Sequence, residues 1–433
     1  MFSGWLAVGF VLYRVCGVIF AALIAGALAA CAAVDETIDN RFDSIDRSAG
    51  KARNESVLRN IARASQRIPL TFMAFSKVSG GLSANVSSSL PTFAIGPQPL
   101  PTQVQRDVVI SNSTLGGSTT ASNAVDFAVL ESNDFYHALL DPGDLIDFHT
   151  LIQQGYPREL LFWLFADSVR ITIIDTSKPR SQPEYWELRN RVDERESCQD
   201  IPGIGHLCFK DMVDLAMITG LSVQVKPGDE TESSGRRSAK SDGDSSKAAK
   251  QKIYSRLCLD PFFSRQTAVF ITQSRKDYSP SPALRKLRLA TQTTPANLRT
   301  YCGQQFKVDP KNPPKLEMKS LMGGRRYIYE IKTRSTFAIY QFLGRILAER
   351  AFDRVLMTGL EPDTADQRQI LSINVDHATD CAVSTTLRGI TYCVPERGSE
   401  ITKLIFNLLT QLIALKTQSK DLGITPTVRV SPF

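Results

Sequence analysis

The sequence lacks the short motifs that mark several common classes of enzyme. It contains no GxSxG nucleophile elbow, no SxxK followed by a KTG, and no P-loop. These patterns mark serine hydrolases, penicillin-binding enzymes and nucleotide-binding enzymes, respectively. Histidine is also scarce, with four residues in 433, so few imidazoles are available as general bases. We therefore lean away from an enzyme, although a catalytic site assembled from scattered residues would leave no motif.

Metal-ligand patterns are missing as well. No CxxC pair occurs, and His206 is the only histidine near a cysteine in sequence, whereas structural zinc sites usually combine closely paired ligands. Asp141, Asp144 and Asp147 lie at a predicted helix start and do not follow the EF-hand pattern. We predict no metal and no cofactor. His377, next to Asp376, is the best candidate for a catalytic base, and a surface or capping role is the alternative.

Charge is almost absent from the start of the chain, where Arg14 is the only charged side chain before Asp35. The intervening residues Val15–Ala30 are all apolar or small. As a helix they would span about 24 Å, which is shorter than the roughly 30 Å hydrocarbon core of a bilayer. This length is typical of a signal peptide rather than a membrane span.

The end of this stretch, Leu28-Ala29-Ala30-Cys31, resembles the lipobox of bacterial lipoproteins. The resemblance implies that residues 1–30 are a cleaved lipoprotein signal peptide and that Cys31 carries diacylglycerol and an N-acyl chain such as palmitate. These chains exceed the two needed for stable anchoring. Ala32 stands where enteric lipoproteins kept at the inner membrane often have Asp, which favours the outer membrane, facing the periplasm, over the inner membrane.

The alternative is an uncleaved anchor over Gly4–Val34, because the residues before Arg14 are also apolar and the usual positive start is weak. In that case the protein would be a membrane-anchored sensor ectodomain. An intact Met1 would distinguish this alternative.

Two further segments resemble a proteobacterial lipoprotein family for which we infer no activity. The first, Asn54–Gly80, is a helix entering a strand, and the second lies within Phe127–Leu164. The matching residues are Asn54, Leu58, Asn60, Ile61, Arg63, Pro69, Phe72, Phe135, Leu139, Leu140, Pro142, Leu151, Gly155 and Leu160. The resemblance implies a location rather than a mechanism.

Six cysteines remain in the body once Cys16 leaves with the signal and Cys31 is lipidated. An even number is typical of a disulfide-bonded protein in an oxidising compartment. Six cysteines allow fifteen pairings, and spacing alone does not choose between them. We favour Cys198–Cys208, which would close a short loop, and Cys381–Cys393, which would link the two strands of a hairpin. Cys258–Cys302 is the remaining pair.

The periodicity of the body predicts an α+β fold with mixed or antiparallel sheets and packed helices. Residues 31–50 form a tether, 51–176 an N-terminal α+β domain and 177–433 a C-terminal one. Gly80-Gly81 predicts a hairpin turn. The last part of the chain reads as one β-α-β-β-α-β unit. Its final helix, starting near Ile401, has the clearest apolar repeat.

Residues 226–252 are rich in Lys, Ser, Gly, Asp and Glu and contain no aromatic residue. This composition predicts a disordered insertion. Strand-like stretches flank it, Leu221–Val225 and Ile253–Leu259, so we expect it to extend a hairpin rather than to separate domains. Its mixed charge, like the modest formal net charge of +7, argues against a nucleic-acid partner.

Arg59, Arg63 and Arg67 recur every four residues on the predicted first helix. They could contact anionic lipid headgroups or an acidic partner. The alternative is a solvated helix face with a Glu55–Arg59 ion pair.

Together these features predict a lipid-anchored envelope protein with a structural or partner-binding role. Its expected partners are the membrane, through the lipid, and an envelope protein or the cell wall. The alternative from another class is an envelope hydrolase without a recognisable motif. A deep pocket holding His377 or His137 within hydrogen-bond reach of Ser, Asp or Glu would favour it.

Overall fold

The computed structural model describes residues 43, 46–87, 116–143, 145–177, 182–227, 253–295, 300–305, 317–352, 355–361, 369–376, 379–417 and 427–430. The predicted signal peptide, Cys31, most of the tether, Asp144 and His377 lie outside the described residues. So does the predicted insertion, apart from its first two residues.

The elements are named here in chain order. The helices are α1 (46–65), α2 (Asn133–Leu140), α3 (Leu145–Gln153), α4 (Arg158–Phe165), α5 (Glu194–Ser197), α6 (Phe209–Thr219), α7 (Pro261–Ser274), α8 (Pro282–Thr293), α9 (Thr336–Ala348) and α10 (Glu400–Lys416). The strands are β1 (Met73–Ser87), β2 (Gly116–Val129), β3 (Ala166–Asp175), β4 (Glu184–Arg189), β5 (Cys198–Ile201), β6 (Gly205–Cys208), β7 (Leu221–Pro227), β8 (Ile253–Leu259), β9 (Glu317–Met322), β10 (Arg325–Thr333), β11 (Asn374–Val375), β12 (Cys381–Leu387), β13 (Ile390–Pro395) and β14 (Thr427–Val430). Helices and antiparallel sheets confirm the predicted α+β class.

The chain divides into two compact units, each made of two separate chain segments. The larger unit comprises Met1–Leu70 and Leu140–Leu412, and the smaller comprises Thr71–Leu139 and Ile413–Phe433. This division differs from the predicted boundary between residues 176 and 177. That boundary would cut through a sheet, because β3 pairs with both β4 and β10.

The smaller unit contains an antiparallel sheet in the order β1-β2-β14. The hairpin predicted at Gly80-Gly81 is wrong. Both glycines lie inside β1, where Gly80 pairs with Asn123 and Gly81 with Ser122. In the same unit Phe135 is fully buried and its ring meets that of Phe72 edge-on, with the centroids 5.7 Å apart.

The core of the larger unit forms around α4 and a four-stranded sheet in the order β4-β3-β10-β9. Every residue of Glu159–Phe165 is buried, as expected for so apolar a stretch. Alternate residues of β3, among them Ile171 and Ile173, are buried as well, since side chains alternate between the faces of a strand.

Arg334, at the end of β10, joins this sheet to α4. Its side chain is only 2% exposed and donates to the carbonyl oxygens of Trp163 at 3.0 Å, Leu164 at 3.3 Å and Asn190 at 2.7 Å. The guanidinium also lies 4.0 Å from the centre of the Phe342 ring. Burial lowers the pKa of Arg334 to about 9.

The elements predicted at the C-terminal end occur in the predicted order but do not form a single unit. The order of elements is recovered, with the additional strand β12, but the strands belong to three sheets. β10 lies in the four-stranded sheet, β11, β12 and β13 form a separate sheet in the order β11-β13-β12, and β14 pairs with β2. Strand periodicity indicates which face of a strand is buried and does not indicate its partner.

All three predicted disulfides are present. Cys198–Cys208 joins β5 to β6, Cys258–Cys302 joins β8 to the segment 300–305, and Cys381–Cys393 joins β12 to β13. The hairpin around the insertion is confirmed as well, because β7 and β8 pair from Leu221 with Leu259 to Pro227 with Ile253.

Candidate functional site

The predicted basic face of α1 is not one exposed surface. Arg59 pairs with Glu55 at 2.7 Å and donates from Nε to the hydroxyl of Thr385 at 3.3 Å. Arg63 is half-buried, and Arg67, which is exposed, lies beyond the helix with a φ of 56°. The Glu55–Arg59 pair of the alternative interpretation is therefore present.

The described histidines do not form the arrangement that would favour a hydrolase, which is a histidine in a deep pocket within hydrogen-bond reach of Ser, Asp or Glu. His137 and His206 are exposed, and His206 Nδ1 lies 3.1 Å from Asp200 Oδ1 at the surface. His149 is half-buried, with Nδ1 2.9 Å from the carbonyl oxygen of Val223. None of the three combines a deep pocket with a neighbouring acid.

One group of potential metal ligands occurs among the described residues. Ligand atoms of Cys198, His206 and Cys208 lie within 4.8 Å of one another. The two sulfur atoms are joined to each other in a disulfide, and a metal needs the thiolate form of cysteine. In this oxidised state the group does not supply a zinc site.

A polar cleft of the larger unit combines several ionisable side chains. It has a volume of about 360 Å³ and lies between α6, the segment that follows α7, and residues 355–358. Its charged or ionisable lining residues are Lys210, Asp211, Asp214, Arg275, Asp277 and Tyr278.

Asp214 is the most unusual side chain in this cleft. The residue is 5% exposed, and its Oδ2 accepts a hydrogen bond of 2.9 Å from the Tyr278 hydroxyl. Its Oδ1 is buried, and the Thr358 hydroxyl is a second hydrogen-bonding neighbour of the carboxyl. Burial, reinforced by the nearby Glu159, raises the pKa of Asp214 to about 7, although hydrogen bonds with Tyr278 and Thr358 oppose this. Burial and the neighbouring Asp214 also raise the pKa of Tyr278.

Glu159, which is fully buried at the start of α4, binds residue 358 of the cleft wall and its neighbour, residue 359. Its carboxylate accepts hydrogen bonds from the backbone N–H of Thr358, from the Thr358 hydroxyl at 2.9 Å and from the N–H of Gly359 at 3.1 Å. On the other side, Arg275 Nη1 donates to the carbonyl oxygens of Thr358 at 2.8 Å and Gly359 at 2.5 Å. Residues 358 and 359 are thus held through both their donors and their acceptors.

Glu361 is a second buried carboxyl group, and it is hydrogen-bonded to the backbone of Glu159. Glu361 is 8% exposed and its Oε2 accepts from the backbone N–H of Glu159 at 3.0 Å, at the start of α4. Burial raises the pKa of Glu361 to about 7, while hydrogen bonds from the backbone of Glu159 and Arg158 oppose the rise. Arg158 itself pairs with Asp260 at 3.2 Å and lies 3.9 Å from the centre of the Phe263 ring.

The sequence analysis did not identify Asp214 and Glu159 as site residues. Each is a single acidic residue within an apolar helical stretch and belongs to no known motif. Asp214 lies between Val213 and Leu215 on α6, in which eight of the eleven residues are buried, and Glu159 precedes six buried apolar residues on α4. An acid inside an apolar helical stretch indicates either a satisfied structural group or a group with a perturbed pKa. The sequence alone does not distinguish the two.

Chemically, the cleft offers one largely buried carboxyl group, that of Asp214, with a pKa of about 7. Strongly perturbed carboxyls in clefts are candidates for binding and proton transfer. This makes Asp214 the centre of the candidate site.

Comparisons of the chain with models of known families, with curated proteins and with solved structures found no match. The resemblance to a lipoprotein family accordingly stays a prediction from the sequence. No helix among the described residues is both long enough and apolar enough to cross a membrane.

Proposed function

We propose that the protein is an exported, lipid-anchored binding protein of the bacterial envelope, attached through Cys31 and facing the periplasm at the outer membrane. The observation that carries the proposal is the pairing of all six body cysteines in three disulfides. Disulfides persist in oxidising compartments and are rare in the cytosol. They are compatible with an extracytoplasmic location.

The binding role is supported by the cleft around Asp214. It is polar and contains charges of both signs. Recognition sites commonly place a few polar groups in a concave surface. We propose that an envelope protein or a component of the cell wall occupies it.

A hydrolase is the second candidate, and one observation favours it. A carboxyl with a pKa of about 7, such as that of Asp214, suits general acid or base catalysis at neutral pH. Release of soluble fragments from purified cell wall by the wild type, lost in Asp214→Asn, would favour this candidate over simple binding.

The anchor is tested by the intact mass of the protein purified from bacterial envelopes. We expect a chain that begins at Cys31 and carries acyl groups, whereas Cys31→Ser should accumulate with the signal attached. A free Met1 on the wild-type protein would contradict the lipoprotein proposal.

The partner is tested with a photo-crosslinking amino acid in living cells. At Ser279, an exposed residue that lines the cleft, it should capture a defined envelope component. At Tyr185, which is 66% exposed on β4, it serves as the matched control. Equal crosslinking from both positions would argue against the cleft as the binding site.

A further inference from the structure

The ligand group of Cys198, His206 and Cys208 lies on one face of the hairpin formed by β5 and β6. In this hairpin Cys198 pairs with Cys208, and Asp200 pairs with His206. Because side chains alternate between the two faces of a strand, these four side chains share one face. The opposite face carries Leu207, which is fully buried, whereas Asp200 and His206 are exposed. The four side chains therefore form a compact cluster at the surface of the larger unit.

Among the three disulfides, Cys198–Cys208 is the one in which both residues are partly exposed. Each of the other two contains a buried cysteine, since Cys258 is 1% exposed and Cys393 is fully buried. Thiol–disulfide exchange requires the attacking thiolate to reach a sulfur atom. A reductant should therefore open Cys198–Cys208 before the other two pairs.

Reduction by a dithiol would convert this cluster into a set of metal ligands. A thiolate of the dithiol attacks one sulfur, the S–S bond breaks, and a mixed disulfide forms while the other sulfur leaves and takes up a proton. The second thiol of the reductant then displaces the protein, so that the reductant is oxidised to a disulfide and both cysteines become thiols. A tetrahedral zinc ion needs its ligand atoms roughly 3–4 Å apart. Those of Cys198, His206 and Cys208 already lie within 4.8 Å of one another.

We propose that the reduced hairpin binds a zinc ion through the thiolates of Cys198 and Cys208 and the imidazole of His206. The zinc ion replaces the two thiol protons, and the fourth position stays open to water. Asp200 is a positioning residue, because its Oδ1 lies 3.1 Å from His206 Nδ1. A carboxylate that accepts from one ring nitrogen orients the other, here Nε2, toward a metal. For the reduced chain, this inference replaces the prediction of no metal, and it goes beyond the proposed binding role.

The experiment uses the full purified protein in detergent, treated with dithiothreitol under native conditions and then freed of it. Alkylation followed by mass spectrometry should locate the first free thiols at Cys198 and Cys208. Cobalt(II) added to this protein should give the visible absorption of a tetrahedral site with thiolate ligands, and zinc should remove that absorption at one ion per chain. The oxidised protein should give no such spectrum.

Variants distinguish a built site from binding by two thiols alone. In competition with a chromogenic chelator, His206→Ala and Asp200→Asn should each weaken zinc binding to the reduced protein at least tenfold. Both side chains are exposed, by 67% and 86%, so these variants should fold. His137→Ala, which removes an exposed histidine of α2, is the matched control and should bind zinc as the wild type does.

Equal zinc affinity in the wild type, His206→Ala and Asp200→Asn would overturn the inference. The absence of a cobalt spectrum from protein with both thiols free would overturn it as well, as would reduction of another disulfide before Cys198–Cys208. None of these outcomes affects the mass and crosslinking tests of the proposed function, because both are made on the oxidised protein.

Discussion

Tyr278 and Asp214 share a 2.9 Å hydrogen bond between the phenol hydroxyl and Oδ2 of a carboxyl that is only 5% exposed. Because this bond stabilises the charged carboxylate, it lowers the pKa of Asp214 against the larger opposing effect of burial. We predict that Tyr278→Phe raises the pKa of Asp214 above about 7 and reduces the unfolding free energy by about 1 kcal/mol. Carbon-13 NMR of aspartate carboxyls against pH measures the first effect and urea denaturation the second.

Tyr185→Phe provides the control for this experiment, because Tyr185 is 66% exposed. It should change neither quantity. An unaltered Asp214 pKa in Tyr278→Phe would show that the hydrogen bond has no energetic role.

The stability of the larger unit should fall as the pH rises from about 4 to about 7. Asp214 and Glu361 have pKa values of about 7 when folded, compared with about 4 in unfolded chains. Over this range the folded chain holds more protons than the unfolded chain, so the unfolding free energy decreases with pH. At about 1.4 kcal/mol per pKa unit, a rise of about three units costs roughly 4 kcal/mol for each of the two groups above pH 7.

Urea midpoints at pH 5 and pH 8 measure this effect. The double variant Asp214→Asn, Glu361→Gln should flatten the difference, because neither amide titrates. A wild-type midpoint that is higher at pH 8 than at pH 5 would contradict the assignment.

Gly344 on α9 is predicted not to tolerate alanine. A Cβ atom at this position would lie 2.5 Å from Ala64 Cβ and 2.7 Å from the Ala64 carbonyl carbon on α1. Alanine is favoured over glycine in helices by up to about 1 kcal/mol, but overpacking of this kind costs about 1–3 kcal/mol. We expect Gly344→Ala to lower the unfolding free energy in a thermal or urea melt.

Gly50→Ala is the matched control within α1, since a Cβ atom there has no neighbour within 4 Å. It should leave stability unchanged or raise it slightly. Equal effects of the two substitutions would mean that the close contact between α1 and α9 is not maintained in solution.

The three disulfides should differ in their contribution to stability. Cys258–Cys302 closes a sequence separation of 44 residues, compared with 10 for Cys198–Cys208. The chain-entropy model assigns about 4 kcal/mol to the longer loop and about 3 kcal/mol to the shorter one. We expect the double alanine variant of the longer pair to have the lower denaturation midpoint, and the opposite order would exclude loop entropy as the dominant effect.

Features set by near neighbours in sequence were predictable here. The hairpin of β7 and β8 and the apolar repeat of α10 follow from residue spacing. The pairs Cys198–Cys208 and Cys381–Cys393 lie 10 and 12 residues apart, and each joins two adjacent strands, so local loop closure indicated them. The third pair then followed by elimination.

Features that depend on distant residues were not predictable. The pairing of β3 with β10 joins residues about 150 positions apart, and nothing in the periodicity of either strand specifies the other. Arg334 looks like an ordinary basic residue in the sequence, yet it is buried against three carbonyl groups. The role of Asp214 depends in the same way on Tyr278 and on the loop at residue 358.

The sheet of the smaller unit has a consequence for how the protein is made. β2 is its central strand, and Val125–Ala128 on its second edge pair with β14. β14 follows every other named helix and strand in sequence. During synthesis β1 and β2 can pair early, but that edge keeps open hydrogen-bonding groups until residues 427–430 emerge. Open strand edges recruit other chains, so we expect a chain that ends before residue 427 to aggregate more readily than the full chain.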